Sequence, residues 1–244
     1  MRVSSNELKS LFKNAFRGAG MAPGQYKAAA DCFVWLQMHG FSGFELFERQ
    51  LASDTAFQIG NFEIVAESRS RIDVTISHSS LALSAELISG LCQANAQDNG
   101  DCLCIVEGAR EQTSILHKIS ELSVCNLAAY AVWPISENMA RLAKLNKSGG
   151  IDLSDYSVSD TKLASLTLLY GADRQLLRRR LLKCCAFIDG PSESFYSASE
   201  AQAFYQSSLT EGIEISESLC QRLINFGSQA LVESSVQSRR GAGA

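Results

Sequence analysis

The chain opens with amphipathic helices. Ser4 and Glu7 have the spacing of a capping box, and the apolar residues that follow recur every three or four positions. A second helix is predicted to begin at Pro23, because proline is favoured in a first helical turn. The glycine-flanked segment His39 to Gly43 interrupts this pattern, and helical spacing then resumes. Residues 4–52 are therefore predicted to form a three-helix layer.

Downstream, the apolar pattern switches between the periods of strands and helices. Alternating apolar residues predict an antiparallel hairpin, and longer stretches with helical spacing predict helices. The predicted order is β-β-α-β-α-β. Its elements are a hairpin at 62–66 and 72–76, a helix at 80–97, a strand at Cys102–Val106, a helix at Ser114–Val124 and a strand at Asn126–Trp133, where Pro134 is expected to end the sheet hydrogen bonding.

The polar, glycine-rich stretch 146–161 is predicted to be a linker. Beyond it we expect a strand at Leu163–Tyr170, a helix at Asp173–Cys185, a turn at Gly190-Pro191, a helix near Ala198–Leu209 and a closing helix from Ser216. The predicted organisation is a helical layer (1–55), a sheet-and-helix core (56–145), a segment that completes the core (146–233) and a mobile tail (234–244). The fold class is α/β, with α+β as the alternative: the three-helix layer packs on a mixed, largely antiparallel sheet with flanking helices.

Composition and charge limit the classes of function. The 244 residues are 46% hydrophobic and 20% charged, which is typical of a globular protein and argues against disorder or a coiled coil. A net charge of −4 gives no general attraction for nucleic acid or an anionic membrane. No apolar run reaches the roughly 18 residues of a membrane span, and the N-terminus lacks a signal-peptide pattern, so we expect a cytoplasmic protein.

The cysteines and arginines are interpreted structurally. Most of the eight cysteines lie in apolar segments and are expected to be reduced core thiols. Cys102 and Cys104 are expected on opposite faces of their strand, and the three scattered histidines lack metal-ligand spacing, so we expect no metal site. The run Arg178–Arg180 is interpreted as a solvated helix face.

His39 is the strongest candidate for chemistry. Its imidazole lies in a glycine-flanked break between helices, where it could be accessible and titrate near neutral pH; the alternative is a histidine that caps the helix or turn. His78, between two serines before a predicted helix, suggests either an anion site or ordinary capping.

The opening of the chain resembles the malate/L-lactate/sulfolactate dehydrogenase family, whose members have a non-Rossmann fold. The resemblance rests on Ser4-x-x-Glu7-Leu8, on His39-Gly40-Phe41-Ser42-Gly43-Phe44-Glu45-Leu46 and on the order of elements through residue 133. The whole chain is similar to a bacterial family known only as a domain of unknown function. The resemblance to the dehydrogenases implies their scaffold and a homodimer.

Departures from the dehydrogenase motifs bear on activity. The family's catalytic histidine stands between a serine and a glycine, whereas here Ser42 is followed directly by Gly43. Its Asn-His-Phe-Gly motif falls near Gly108-Ala109-Arg110-Glu111, its Gly-Thr-Asn-Pro loop has no counterpart, and the chain is shorter than those enzymes. The first hypothesis is therefore a catalytically degenerate relative that binds a small ligand or a protein partner and needs no cofactor.

The alternative hypothesis is an enzyme on the same scaffold. It would use His39 with Glu45, Arg110 or His117 for acid/base work on a small carboxylate or an amino-acid-like substrate. In this hypothesis NAD(P)H is the cofactor and Arg110 is a residue that binds it.

Overall fold

A computed structural model describes residues 1–52, 57, 60–77, 80–158, 166–185 and 193–229. Its α-helices are α1 (Ser5–Gly18), α2 (Pro23–Met38), α3 (Gly43–Leu51), α4 (Leu81–Asn99), α5 (Ile115–Glu121), α6 (Arg174–Cys184), α7 (Ala198–Glu211) and α8 (Glu217–Ser228). Its strands are β1 (Arg2–Val3), β2 (Phe62–Ser68), β3 (Arg71–Ile76), β4 (Asp101–Glu107), β5 (Ala128–Ser136), β6 (Met139–Leu145), β7 (Ile151–Ser157), β8 (Leu166–Gly171), β9 (Glu193–Tyr196) and β10 (Ile213–Glu214). None of the helices in these ranges is long and apolar enough to cross a membrane.

The first two helices begin and end where the sequence predicts. The Ser4 hydroxyl accepts a hydrogen bond from the Glu7 amide, and the Glu7 carboxylate accepts one from the Ser4 amide at 2.7 Å, which completes the capping box. Helix α2 ends because Gly40 adopts a left-handed φ of 76°, which lets the amide of Phe41 bond back to the Leu36 carbonyl at 2.8 Å.

The main sheet has eight strands in the order β2-β3-β4-β8-β5-β6-β7-β9. Strands β3 and β4 are parallel and are joined through α4, whereas the other described pairs are antiparallel. Strands β1 and β10 form a separate two-stranded antiparallel sheet that ties the N-terminus to the segment between α7 and α8. The predicted mixed, largely antiparallel sheet is confirmed.

Helices cover both faces of the sheet. Helices α4 and α5 pack on one face, and α6 packs on the other. The predicted three-helix layer reaches the sheet mainly through α4 and α5, with α8 packed against α1. The centre of this layer is a cluster of phenylalanines in which the ring centroids of Phe12 and Phe33 lie 5.8 Å apart and those of Phe12 and Phe47 lie 5.0 Å apart. Phe12, Phe33 and Phe47 are fully buried.

Two predictions about the middle of the chain are wrong. Pro134 does not end its strand but pairs with Ala140 inside β5. Among the described residues, the pairing of β5 with β8 ends at Val132, so no described ladder bond on that side requires an N–H group from the proline. The predicted linker is wrong for Ile151–Ser157, which form β7 along β6 and bury Ile151 and Leu153.

Several predictions lie outside the described residues. These are the turn at Gly190-Pro191, the tail at 234–244, and residues 159–165, which comprise the end of the predicted linker and the start of the strand predicted after it. The division into 1–55, 56–145 and 146–233 stays a prediction.

Candidate functional site

Four helices converge on a cleft beside the C-terminal end of α2. The cleft has a volume of about 360 Å³, and it contains both His39 and His117. We call it the histidine cleft. Its other lining residues include Lys9 of α1, Asp31 and Trp35 of α2, Glu121 of α5 and Tyr205 of α7.

His39 is held in one orientation at the end of α2. Its Nδ1 lies 2.8 Å from the Trp35 carbonyl oxygen. Because a carbonyl can only accept, we assign the hydrogen of the neutral ring to Nδ1, which leaves the lone pair on Nε2. The ring stacks on Trp35 at 4.1 Å and on Tyr205 at 4.9 Å. Burial lowers the pKa of His39, so the neutral form is favoured near pH 7.

His117 is the more deeply buried of the two histidines. It is 6% exposed, and burial, reinforced by the neighbouring Lys118 charge, lowers its pKa to about 4. Its Nε2 lies 3.5 Å from a Glu121 carboxylate oxygen, so in the neutral ring the hydrogen is best placed on Nε2. The opposite nitrogen, Nδ1, is buried and forms no hydrogen bond with any residue that the structure describes.

Charged groups surround the two neutral imidazoles. Lys118 is only 7% exposed and pairs with both Glu86 and Glu121. Burial by itself lowers the pKa of Lys118, but the hydrogen bonds that its ammonium donates to these carboxylates outweigh this effect, and the pKa is raised. At the mouth of the cleft, the Lys9 ammonium pairs with Asp31 at 2.5 Å. The lysines that adjoin the cleft are thus already neutralised by carboxylates.

A second, smaller cleft of about 280 Å³ lies on the other side of His39. It shares Trp35 and His39 with the histidine cleft and is otherwise lined mainly by small and polar residues, including Ser120, Ser148 and Gly150. Both clefts are closed in part by α7. His39 therefore lines both clefts.

The other two predicted site residues lie elsewhere. Glu45 is exposed on α3, and Arg110 is exposed in the segment after β4. Neither lines the histidine cleft. His78 lies outside the described residues. The structure thus brings His39 and His117 together without Glu45 or Arg110.

Arg110 instead belongs to a polar cluster at the ends of the parallel strands. Its neighbour Glu111 has a left-handed φ of 57°, and the Glu111 carboxylate accepts a hydrogen bond from the Ser80 hydroxyl at 2.6 Å. Burial raises the pKa of Glu111, although Ser80 and the arginines Arg49 and Arg110 act to lower it. The cluster anchors the start of α4 to the segment after β4, because the Leu81 amide also bonds to the Arg110 carbonyl.

Sequence reasoning missed the aromatic neighbours of His39. Trp35 precedes His39 by four residues and shares its helical face, so the helical period could have identified it. Tyr205 could not be identified this way, since it comes from α7 and meets His39 only in the tertiary structure.

The cysteines mostly match the prediction of core thiols, with two exceptions. Six are buried, whereas Cys125 and Cys184 are exposed. The expected opposite orientation of Cys102 and Cys104 is wrong, because residues two apart on a strand share a face, and both are buried in the same core cluster as Cys92. No group of three or more potential metal ligands occurs among the described residues.

Comparisons with known proteins place this geometry on a known scaffold. Residues 3–86 match the model of a family described as Protein of unknown function (DUF3726). No curated protein matches the sequence. Three similar solved structures are malate dehydrogenase from Pyrococcus horikoshii OT3 (10% identity, TM-score 0.65, 96% of each chain covered), sulfolactate dehydrogenase from Methanocaldococcus jannaschii (12%, 0.60, 94% of this chain and 97% of that one) and delta1-piperideine-2-carboxylate reductase from Pseudomonas syringae pvar. tomato (11%, 0.62, 93% and 99%).

At these identities the likeness shows the fold, which is that of the malate/lactate dehydrogenase-like oxidoreductases. The resemblance to the dehydrogenases is confirmed for the fold, and the similarity to a domain of unknown function is confirmed for residues 3–86. The shorter length of the chain was one argument against dehydrogenase activity. That argument no longer holds, since the alignment with the Pyrococcus enzyme spans 96% of each chain.

Among its described lining residues, the histidine cleft has no uncompensated cationic side chain for the pyrophosphate of NAD(P)H. Phosphates are bound by cationic side chains or by backbone N–H groups at a helix N-terminus. Lys9, the one lysine or arginine among the described lining residues, is paired with Asp31. We therefore derive no step through a nicotinamide cofactor at this cleft.

Proposed function

We propose that the chain is a catalytically degenerate relative of the malate/lactate dehydrogenase-like oxidoreductases that binds a small organic ligand in the histidine cleft. The observation that carries this proposal is the buried Nδ1 of His117, which has no hydrogen-bond partner among the described residues. A buried polar atom without a partner costs about 1–3 kcal/mol, which a ligand N–H or O–H group would recover. Since His117 is neutral at pH 7, the preferred ligand carries a donor at this point.

The surroundings of His39 favour recognition over proton transfer. Its Nδ1 is bonded to a carbonyl, whereas a catalytic histidine is commonly oriented by a carboxylate that stabilises its charged form. Both ring faces are covered, by Trp35 and Tyr205. A general base also needs a pKa near the working pH, and burial moves the pKa of His39 below its ordinary value.

The loop that would carry the family's catalytic histidine supports the same conclusion. Ser42 is followed directly by Gly43, and a Cβ on Gly43 would lie 2.3 Å from the Phe33 carbonyl oxygen. The backbone at Gly43 is thus packed too closely against α2 for any side chain. The position after Ser42 in this chain cannot hold an imidazole without moving α3.

Thermal-shift measurements with a panel of small hydroxy acids and amino acids test the binding proposal. At least one compound should stabilise the wild-type protein, and His117→Leu, which removes the acceptor, should abolish that stabilisation. Glu45→Gln, on an exposed residue outside the cleft, is the matched control and should leave it unchanged. If no compound stabilises the protein, or if His117→Leu binds as well as wild type, the proposal fails.

Titration with NADH and NADPH tests the degeneracy. We expect no saturable change of cofactor fluorescence at micromolar concentration. A saturable change that His39→Ala or His117→Leu removes would contradict the claim that the histidine cleft no longer binds a nicotinamide cofactor.

The second candidate is an oxidoreductase or another enzyme that acts on a small carboxylate or an amino-acid-like substrate. The fixed tautomer of His39, with its lone pair on Nε2, is the observation that favours it. In that case His39→Ala abolishes turnover of a panel substrate while the fold is retained. An unchanged rate removes His39 from the mechanism. A homodimer, a partner protein and a cytoplasmic location remain proposals that follow from the resemblance and the composition.

A further inference from the structure

A cleft on the opposite face of the sheet is lined by four cationic side chains. Lys144 of β6, Lys147 of the β6–β7 turn, and Arg174 and Arg178 of α6 surround a volume of about 410 Å³. We call it the basic cleft. Its remaining described lining residues are Tyr130, Asn146 and Gln175, so no carboxylate lines this volume within the described part of the chain.

The charges of the basic cleft are not cancelled by ion pairs. Elsewhere on the same face, Arg141 is paired with Asp155 at 2.8 Å and Arg180 is paired with Asp101. The four cations of the cleft form no ion pair with any described residue. Asp152 lies opposite Lys144 in the sheet and Asp173 precedes Arg174, but neither is among the lining residues, so four cationic side chains adjoin one volume.

Arg174 is held in a fixed position by hydrogen bonds, unlike a freely solvated side chain at a protein surface. Its guanidinium donates to the carbonyls of Leu145 at 2.6 Å and Asn146 at 3.0 Å. These bonds fix the arginine against the β6–β7 turn without neutralising its charge. The same turn is held together by the Asn146 side chain, which accepts from the amides of Ser148 and Gly150.

Helix stability does not explain the position of Arg174. Arg174 is the first residue of α6, and Arg178 is one turn further on. Positive charge near the N-terminus of a helix is unfavourable against its macrodipole, whereas basic residues are favoured in the last turn, where Lys183 lies. Arg178 lies beyond the first turn, where this effect has fallen off, so only Arg174 is placed against the macrodipole.

We propose that the basic cleft binds a small phosphorylated molecule. Lys144, Lys147 and Arg178 would contact the phosphate, and Arg174 would add charge from its fixed position. The buried Tyr130 contributes an aromatic side chain to the lining for the organic part of the ligand. The volume lies within the range of roughly 300–1,000 Å³ that small-molecule sites occupy. The acidic character of the whole chain disfavours a long polyanion such as nucleic acid.

Isothermal titration calorimetry with pyrophosphate tests this proposal on the full chain. Wild-type protein should bind pyrophosphate saturably at one site. The double variant Lys144→Gln/Arg178→Gln should bind about tenfold more weakly or worse, because two charge-assisted hydrogen bonds are lost. Both side chains are exposed, so the variant should unfold at the wild-type temperature. Arg174 is left intact because it holds the β6–β7 turn.

Arg179→Gln is the matched control. It removes the same charge from the same helix outside the basic cleft, and it should bind pyrophosphate as wild type does. Equal weakening by Arg179→Gln would mean diffuse charge attraction and would overturn the proposal, as would the absence of saturable binding. Single-stranded oligonucleotides provide the remaining comparison. Affinity that grows with oligonucleotide length would identify a nucleic-acid groove and overturn the assignment to a small molecule.

Discussion

The buried, neutral state of His117 makes a quantitative prediction about the pH dependence of stability. The pKa of His117 falls from an ordinary value of 6.5 to about 4 in the folded protein, so the unfolded chain binds this proton more tightly. Stability must therefore decrease as pH falls through 6.5, and the loss is complete below about pH 4. The full linkage is on the order of 3 kcal/mol, of which about 2 kcal/mol is reached at pH 5.

Urea unfolding at several pH values between 7.5 and 4.5 measures this linkage, with His117→Gln as the comparison because it cannot titrate. The wild-type free energy of unfolding should fall relative to the variant by roughly 2 kcal/mol at pH 5. Comparing the two proteins cancels the other titrations, including that of Glu111, whose raised pKa acts in the opposite direction. If the two proteins lose stability in parallel, His117 is not a buried neutral histidine, and the basis for its open acceptor is lost.

Three further predictions concern packing and reactivity. Gly43→Ala should destabilise the protein by about 1–3 kcal/mol in chemical denaturation, because the new Cβ would meet the Phe33 carbonyl. The control Gly24→Ala should be neutral or stabilising, because nothing lies within 4 Å of a Cβ at that position. Equal effects of the two substitutions would contradict the close approach at Gly43. Phe12→Ala should cost about 3–5 kcal/mol, since it empties the centre of the phenylalanine cluster, and a loss under 1 kcal/mol would mean that the cluster is loosely packed. In a thiol assay with a disulfide reagent, Cys125 and Cys184 should react quickly and the other six only on unfolding; more than two fast thiols would contradict the burial.

The predicted functional residues separate into two places for a topological reason. His39 and His117 meet because α2 and α5 pack against each other, with Trp35 between them. Arg110 follows β4, and its backbone meets the start of α4 at the ends of the parallel strands. The sequence shows the two histidines and Arg110 as candidates. It contains no local pattern that indicates which helix ends will pack together.

The basic cleft illustrates the same limit. From the sequence, the arginines of α6 look like one charged run along a helix. Only the tertiary structure adds Lys144 and Lys147 from β6 and the following turn, and only the ion pairs show that Arg180 is neutralised while Arg178 is not. A sequence shows how many charged residues a segment contains. A binding site depends on which of those charges lack an ion-pair partner in the folded protein.

Local chemistry was sufficient for most element boundaries. The Ser4 and Glu7 capping box, the proline at the start of α2 and the left-handed Gly40 act through neighbouring residues, so the sequence alone determined these helix ends. Strand β7 was missed because only one of its faces is apolar and its polar positions resemble a loop. Its hydrogen bonding to β6 cannot be read from the residues of β7 alone.

The sequence by itself determined the helices, the buried hairpin strand, the position of a histidine at a helix end and the resemblance to the dehydrogenase scaffold. Tertiary structure decided that Pro134 stays within its strand, that two imidazoles share a cleft, and that the buried Nδ1 of His117 has no partner in the part of the chain that the structure describes. The physical reason is that helix caps and turns are satisfied within a few residues. The pairing of strands, the desolvation of a side chain and the loss of its hydrogen bonds depend on segments brought together from distant parts of the chain.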